Sequence, residues 1–296
     1  MEVLNTRQGS NDGVVSEEIP MIAIQGGLAS YHDIASRQYF GKDLRLACCA
    51  SFTKLFDVLE DGKADFGIMA IENSVAGTIL PNYRHLQESS YLISGEVYLR
   101  IEHQLMALPG QSVDDLSEVR SHPMALLQCK NYLKAHPSLE QIQERDTALC
   151  AEDVSMNEIY GVGVIASKMA ATHFGLDVLE AGIEDNKRNF TRFLVLEKKN
   201  NDNVKNEKAN KSSVCFHLDH DSGSLATALT LLSGYGMNLT KIQSLPHIGK
   251  EWQYNFFLDM IFDDYERYTQ ALDKLRYVTK ELTILGEYTR GEKPQY

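Results

Sequence analysis

The chain has 296 residues, 43% hydrophobic and 24% charged, enough for two globular domains or one large one. A net charge of -12 with a pI near 5.2 leaves no basic face for a phosphate backbone, which argues against nucleic acid as a partner. No apolar run reaches the length of a membrane-spanning helix, so no membrane association is expected.

Residues 1–20 are polar and acidic without the apolar stretch of a signal peptide, and they are expected to form a flexible arm. From Met21 short apolar runs alternate with amphipathic ones. Met21–Gln25 reads as a strand and Tyr31–Phe40 as a helix. Leu44–Cys48 reads as a strand, and Ser51–Glu60 as a helix with Phe52, Leu55, Phe56 and Leu59 on one face. Phe66–Ile71 reads as the next strand. Pro123–Leu133 is predicted as a helix with proline in its first turn, and Val162–Ile165 as a buried strand. Ser167–His173 is predicted as a helix capped by Ser167. Asn189 through Phe193 then opens onto Leu194-Val195-Leu196, the pattern of a strand entered from a polar loop. This alternation predicts a mainly parallel, doubly wound α/β sheet, whose ligands bind at the carboxyl ends of strands.

The stretch 198–212 (KKNNDNVKNEKANKS) is almost devoid of apolar residues and reads as a linker. Beyond it, strand Ser213–Leu218, helix Ser222–Leu232, strands Leu239–Leu245 and Tyr254–Phe262 around Gly249, helix Tyr265–Tyr277 and strand Leu282–Tyr288 give the order βαββαβ. That order is a ferredoxin-like unit. Cys48, Cys49, Cys129, Cys150 and Cys215 show no CxxC spacing and are expected to be reduced and buried, in a cytoplasmic setting.

Four polar clusters fall at predicted strand ends or helix starts. Gln25-Gly26-Gly27, with Ser30 and Tyr31, allows close backbone approach to a ligand or forms a plain turn. Glu72 through Thr78 supplies Asn73, Ser74 and Gly77, suited to a carboxylate or hydroxyl ligand or to capping. Ser121-His122-Pro123 leads into a helix bearing Gln128, an arrangement that favours an anion or a cap. Adjacent Ser and His without a G-x-S-x-G context do not make a nucleophilic pair. The fourth cluster, Asn189–Phe193, offers an amide, a hydroxyl and a guanidinium. His217, His220 and His247 lack metal-ligand spacing, so no metal is expected. Rich in neutral donors and poor in paired carboxylates, the clusters suit orientation and electrostatic stabilisation of an anionic small molecule.

The segments GIMAIENSVAG (67–77), ISGEVYLRIEHQLMA (93–107), VRSHPMALLQC (119–129), NFTRFLVL (189–196) and GMNLTKIQSLP (236–246), in this order, resemble prephenate dehydratases that carry a C-terminal ACT regulatory domain. The resemblance covers nearly the whole chain after residue 20. It implies a two-lobed catalytic domain like type-2 periplasmic binding proteins over 21–197, with lobe 1 formed by about 21–98 and 176–197 and lobe 2 by about 99–175. An ACT domain of ferredoxin-like type would occupy 213–290. The implied reaction converts prephenate to phenylpyruvate without a cofactor, in L-phenylalanine biosynthesis. Arogenate dehydration and a non-catalytic metabolite sensor are the alternatives. A fused chorismate mutase is not expected from the twenty residues before Met21.

By resemblance, Thr191 faces the departing hydroxyl, Arg192 is a carboxylate clamp, and Asn73 and Ser74 complete the catalytic set. Ser121, His122, Gln128, Phe193 and Gly77 would bind substrate. The chain departs from the family where GGLASYH replaces GPEGTFS, which weakens Ser30 as a site residue. Two regions are implied to contact the effector L-phenylalanine. The family's GALV reads Gly223-Ser224-Leu225-Ala226, and its ESRP reads Gln243-Ser244-Leu245-Pro246, with Asn238 and Leu239 alongside. A homo-oligomer, dimer or tetramer, is implied as well.

Overall fold

The structure, a computed structural model, describes residues 19–200, 206–218, 221–247 and 253–294. The expected arm up to residue 18, positions 201–205 of the expected linker, and Gly249 lie outside the described residues.

The chain begins with β1 (Met21–Gln25), α1 (Tyr31–Phe40), β2 (Arg45–Cys49), α2 (Phe52–Glu60), β3 (Phe66–Asn73), β4 (Gly77–Thr78), α3 (Leu80–Glu88) and β5 (Tyr91–Arg100). A second lobe follows, with β6 (Gln104–Ala107), β7 (Glu118–Ser121), α4 (Pro123–Gln128), α5 (Lys130–Ala135) and β8 (Glu140–Gln143). It continues through α6 (Thr147–Met156), β9 (Val162–Ala166), α7 (Lys168–Phe174) and β10 (Asp177–Glu180). The chain returns through β11 (Phe190–Lys198) and finishes with β12 (Lys211–His217), α8 (Ser224–Gly234), β13 (Asn238–Pro246), β14 (Tyr254–Ile261), α9 (Tyr265–Val278) and β15 (Lys280–Tyr288).

The first sheet runs β2-β1-β3-β11-β5 with β4 beside β3, and the second runs β10-β6-β9-β7-β8. Both are mixed rather than mainly parallel. β5 carries the chain out of the first lobe and β11 brings it back as its antiparallel neighbour, so β11 is antiparallel to β3 as well. Sitting inside the sheet with both faces covered, β11 needs the continuous apolar run Phe193–Leu196. The second lobe ends later than expected: β10 still pairs with β6, and the crossing back occurs only between Glu180 and Phe190. The helix expected over Pro123–Leu133 is interrupted at Cys129, whose backbone leaves the helical region. Cys48 is exposed on the edge strand β2, against the expectation of burial, while the other four cysteines are buried and all five are free.

The C-terminal sheet runs β13-β14-β12-β15, antiparallel throughout, with α8 and α9 on one face. Its other face is not left to water. Cys215, Phe257, Leu285 and Tyr288 share one apolar core with Ile71, Tyr83, Ile93, Leu194 and Leu196 of the first lobe. Gly286 makes this contact possible, because a Cβ there would stand 2.1 Å from the Ile93 carbonyl oxygen. The expected linker also ends earlier than its composition indicates: β12 starts at Lys211, which is buried against Glu96.

Candidate active site

Between the two lobes lies a cavity of about 400 Å³, within the usual range for small-molecule sites. The first lobe supplies Gln25 at the end of β1, Asn73 at the end of β3, and Thr191 at the start of antiparallel β11. The second lobe supplies His103 before β6, His122 after β7, Gln128 at the end of α4, and Arg145, Asp146 and Thr147 at the start of α6. The site thus forms where loops leave the carboxyl ends of parallel strands in both sheets. The lobes approach each other closely at Gly26, which has φ of +96° and whose Cβ would meet Asp146 Oδ2 at 2.5 Å.

Polar side chains in the cavity form one connected chain. Asn73 Oδ1 accepts from the backbone N–H groups of Val75 (2.9 Å) and Ala76 (2.8 Å), which turns the Asn73 amide nitrogen toward β11. That nitrogen donates to Asn189 Oδ1 at 2.7 Å and to Thr191 Oγ1 at 2.9 Å. Asn189 Nδ2 donates to Gln128 Oε1 at 2.8 Å, and the same oxygen lies 2.9 Å from His103 Nε2. Burial lowers the pKa of His103, against the opposing pull of Gln128 and Glu184, so the ring is neutral and has one N–H. With Nε2–H donating to Gln128, Nδ1 is left as an acceptor 2.9 Å from the Tyr31 hydroxyl, whose one hydrogen is shared between Nδ1 and Glu102 O, also at 2.9 Å. Burial above all keeps that hydroxyl protonated.

The arrangement fixes what Thr191 can do. Its oxygen already accepts a hydrogen bond, and its own hydrogen is available to a ligand in the cavity. Phe193, Phe52, Ile79 and Ile101 supply apolar walls around it. Arg145 is the cation among the lining residues, and among the described residues it meets no carboxylate within ion-pair distance. At α6, Asp146 caps the helix, accepting from Ala148 and Leu149 N–H at 2.9 Å each.

Thr191, Asn73, Gln128, His122 and Phe193 therefore meet at one cavity, and the doubtful Ser30 lines it too. His122 acts there as the α4 cap, its Nδ1 accepting from Met124 N–H at 3.2 Å. Other expected site residues lie elsewhere. Arg192 is the clearest correction. Strand alternation turns it to the opposite face from Thr191, where it is buried among Glu96, Asp259 and Glu72 and cannot clamp a substrate carboxylate. Ser74 is not a lining residue: its Oγ donates to Arg188 O (2.8 Å) and accepts from Phe190 N–H (2.9 Å), stapling the loop ahead of β11. Ser121 is fully buried and donates to Ile165 O at 2.6 Å, tying β7 to β9. Gly77 sits in β4 opposite Asn73, off the cavity wall.

Sequence reasoning missed His103 and Arg145, and it held Tyr31 and Asn189 only as members of polar clusters, without a role in the site. His103 and Asn189 lie in segments quoted for the resemblance, and Asp146-Thr147 before an amphipathic run is a helix-start signal that would have placed Arg145 beside a helix N-terminus. In the C-terminal unit, Gly223 is the N-cap of α8 with φ of +89° and Ser224 Oγ donates to Asp221 O. Leu225 packs against the helix-side core, Asn238 and Leu239 begin β13, and Gln243 and Ser244 lie near its end. α8 runs from the end of β12 to the start of β13, so Gly223 and Ser224 lie toward the Gln243–Ser244 end of β13, opposite Asn238 and Leu239 within one chain.

The prephenate dehydratase family model matches residues 22–201. A bifunctional chorismate mutase/prephenate dehydratase of Aquifex aeolicus is 32% identical over 91% of this chain and 74% of its own length. An arogenate dehydratase/prephenate dehydratase of Arabidopsis thaliana is 33% identical over 90% of this chain and 71% of its own. Among solved structures, the prephenate dehydratase of Arthrobacter aurescens in complex with L-Phe superposes with a TM-score of 0.81 at 25% identity, covering 93% of this chain and 92% of that one. A protein described as GqqA, a novel type of quorum quenching acylase, gives 0.82 at 28%, covering 91% and 98%. With the family model spanning most of both lobes and the cavity-lining residues Asn73, Gln128 and Thr191 inside the matched region, the chain belongs to the prephenate dehydratase family.

Proposed function

We propose that the chain catalyses the decarboxylative dehydration of prephenate to phenylpyruvate. In this reaction the carbon–carboxylate bond breaks to release carbon dioxide, its electron pair aromatises the ring, and the ring hydroxyl departs to become water. The observation that carries the reading is Thr191: its oxygen is held by the Asn73 amide and its hydrogen is free to meet a departing hydroxide. A hydrogen bond that strengthens as charge develops on the leaving oxygen stabilises the transition state more than the ground state. Arg145 is the anchor for a substrate carboxylate, and the apolar walls hold the ring.

Arogenate is the second reading. It carries an ammonium where prephenate has a keto group, and Asp146 beside Arg145 offers a carboxylate to receive it. An acylase needs a nucleophile activated by a base. Among the described residues no serine or threonine hydroxyl lining the cavity is hydrogen-bonded to a histidine, which favours dehydration over acyl transfer.

We assign the C-terminal unit as an ACT domain that binds phenylalanine and feeds back on turnover. β13 is an edge strand, and antiparallel pairing of two copies along it would bring Gly223 and Ser224 of one copy toward Asn238 of the next. The enzyme is then a homo-oligomer, and the free state of all five cysteines suits the cytoplasm.

Turnover of prephenate and of arogenate, each with and without phenylalanine, tests the proposal. Phenylpyruvate formation is expected from prephenate, lowered by phenylalanine. Thr191→Ala is expected to reduce kcat about 10²–10³-fold with a much smaller change in KM, as for loss of one transition-state donor. An inactive parent, or an alanine variant with normal turnover, would remove the reading.

A further inference from the structure

Behind the cavity, where β3, β5 and β11 meet the C-terminal sheet, lies a second polar cluster to which the chemistry above gives no role. Arg192 Nε donates to Glu96 Oε2 at 2.6 Å, its Nη1 reaches Asp259 and, at 3.3 Å, Glu72, and its Nη2 donates to the Tyr288 hydroxyl at 3.0 Å. Ser213 Oγ donates to Asp259 Oδ1 at 2.5 Å and lies 2.7 Å from the Tyr288 hydroxyl. Lys211 binds both oxygens of Glu96, at 2.9 and 2.7 Å. Lys241 on β13 pairs with Glu72 and also donates to Thr78 Oγ1 at 2.7 Å. Three cations thus meet three carboxylates, and Arg192, Lys211, Glu96 and Asp259 are each no more than 5% exposed.

The placement of this cluster gives it a consequence for the cavity. Thr191 pairs with Asn73 across β11 and β3, and Arg192 with Glu72 is the next pair along. Thr191 and Asn73 face the cavity, whereas Arg192 and Glu72 face the C-terminal sheet. The register then shifts, with Phe193 opposite Ala70, so Ile71 is an extra residue in β3. This bulge returns Ala70 to the cavity wall while Ile71 joins the core shared with the C-terminal sheet. Each cavity-facing member of the Thr191–Asn73 pair is therefore one rigid peptide away from a side chain gripped by the other domain.

We infer that Arg192 and Glu72 are positioning residues: Asp259, Tyr288 and Lys241 of the C-terminal unit hold them, and through them set the Thr191–Asn73 geometry, so the C-terminal sheet is a working part of the active site. The inference rests on the prephenate reading for its kinetic test. The mechanism is mechanical rather than chemical. Releasing Arg192 lets β11 turn about its own axis, and Thr191 on the opposite face turns with it.

The experiment uses the full chain. Arg192→Met with Asp259→Leu removes one charge of each sign and fills the space with apolar groups, a kind of replacement that folds tolerate. The thermal midpoint is expected to stay within a few degrees of the parent, while kcat falls at least tenfold and KM changes less than threefold. Added to Thr191→Ala, the same pair should cost almost nothing further, because its effect passes through Thr191. Lys241→Met, at the less buried end of the cluster, should give a smaller loss with the same kcat-against-KM split, and it carries the test if the double variant does not fold. Amide hydrogen exchange over 190–193 is read in parallel and should rise in the variants while α1 stays unchanged. Turnover within twofold of the parent, an undiminished loss in the Thr191→Ala background, or unchanged exchange each overturns the inference. If the parent shows no turnover of prephenate, the functional reading fails separately and exchange alone decides this one.

Discussion

The chemistry open to Thr191 depends on how Asn73 spends its two amide hydrogens. Backbone donors from Val75 and Ala76, with Gln128 Nε2 at 3.4 Å, occupy the Asn73 oxygen, so its nitrogen faces β11 and divides its hydrogens between Asn189 and Thr191. A threonine that both accepts and donates is a better partner for a leaving hydroxide than one that must choose. At the far side of the cavity, Arg145 is a cation without a carboxylate partner among the described residues, although it lies beside the acidic start of α6. Arg145→Gln is expected to raise KM for the substrate roughly tenfold to a hundredfold, the loss of one charge-assisted hydrogen bond, with kcat changed much less. Initial-rate kinetics at several substrate concentrations separate the two parameters, and an unchanged KM would leave the carboxylate without its anchor.

Among the elements, β11 shows what a sequence does and does not reveal. Its nine residues read as a strand because Phe193–Leu196 is a continuous apolar run, and burial on both faces explains that run. Alternation alone predicts that Thr191 and Arg192 face opposite ways. The motif nevertheless placed both in catalysis, because nothing in one chain's pattern says what covers the second face. Glu96, Asp259 and Tyr288, which claim Arg192, are 96, 67 and 96 residues away in sequence. The same limit hid His103, which becomes part of the site only when Gln128 and Tyr31 arrive from other elements. The ferredoxin-like order was legible from period and turn residues, whereas the covering of its open face by lobe 1 depends on Gly286, which carries no pattern at all. Gly286→Val is expected to force β15 away from Ile93 and to lower stability by about 1–3 kcal/mol or more, as overpacking does. Thermal or urea unfolding measures the loss, and an unchanged midpoint would mean that the two domains do not depend on this approach.

Over the whole molecule, one part of the acid response follows from a histidine that folding keeps neutral. His32 is buried under Phe193 and Phe52, and burial pushes its pKa down from 6.5 to about 3 while its Nε2 accepts from Ala70 N–H at 3.3 Å. Below pH 6.5 the unfolded chain takes up a proton that the folded chain refuses, so stability falls as pH drops from 6.5 toward 3 and is independent of this group above 6.5. His32→Gln, which can still accept from Ala70, is expected to flatten that acid limb relative to the parent. Urea midpoints between pH 3 and 8 report it, and parallel curves for the two proteins would assign the limb to other groups.

The shared core between lobe 1 and the C-terminal sheet also decides which part of the molecule can move. Lobe 2 is tethered to lobe 1 only by the segments after β5 and before β11, and it meets the first lobe across the cavity, at Gly26 and through the Ser167 hydroxyl on Ala29 O at 2.8 Å. The C-terminal unit and lobe 1 form the anvil, and lobe 2 is the hammer. A swing of lobe 2, were it the way substrate enters, would carry His103, Gln128 and Arg145 away from the Thr191–Asn73 pair and break the amide chain at the Gln128–Asn189 and Gln128–Asn73 links. On the proposed reading, the open enzyme would keep Thr191 in place while Arg145 and His103 arrived on closure, and the site would be reassembled from the lobe 2 side.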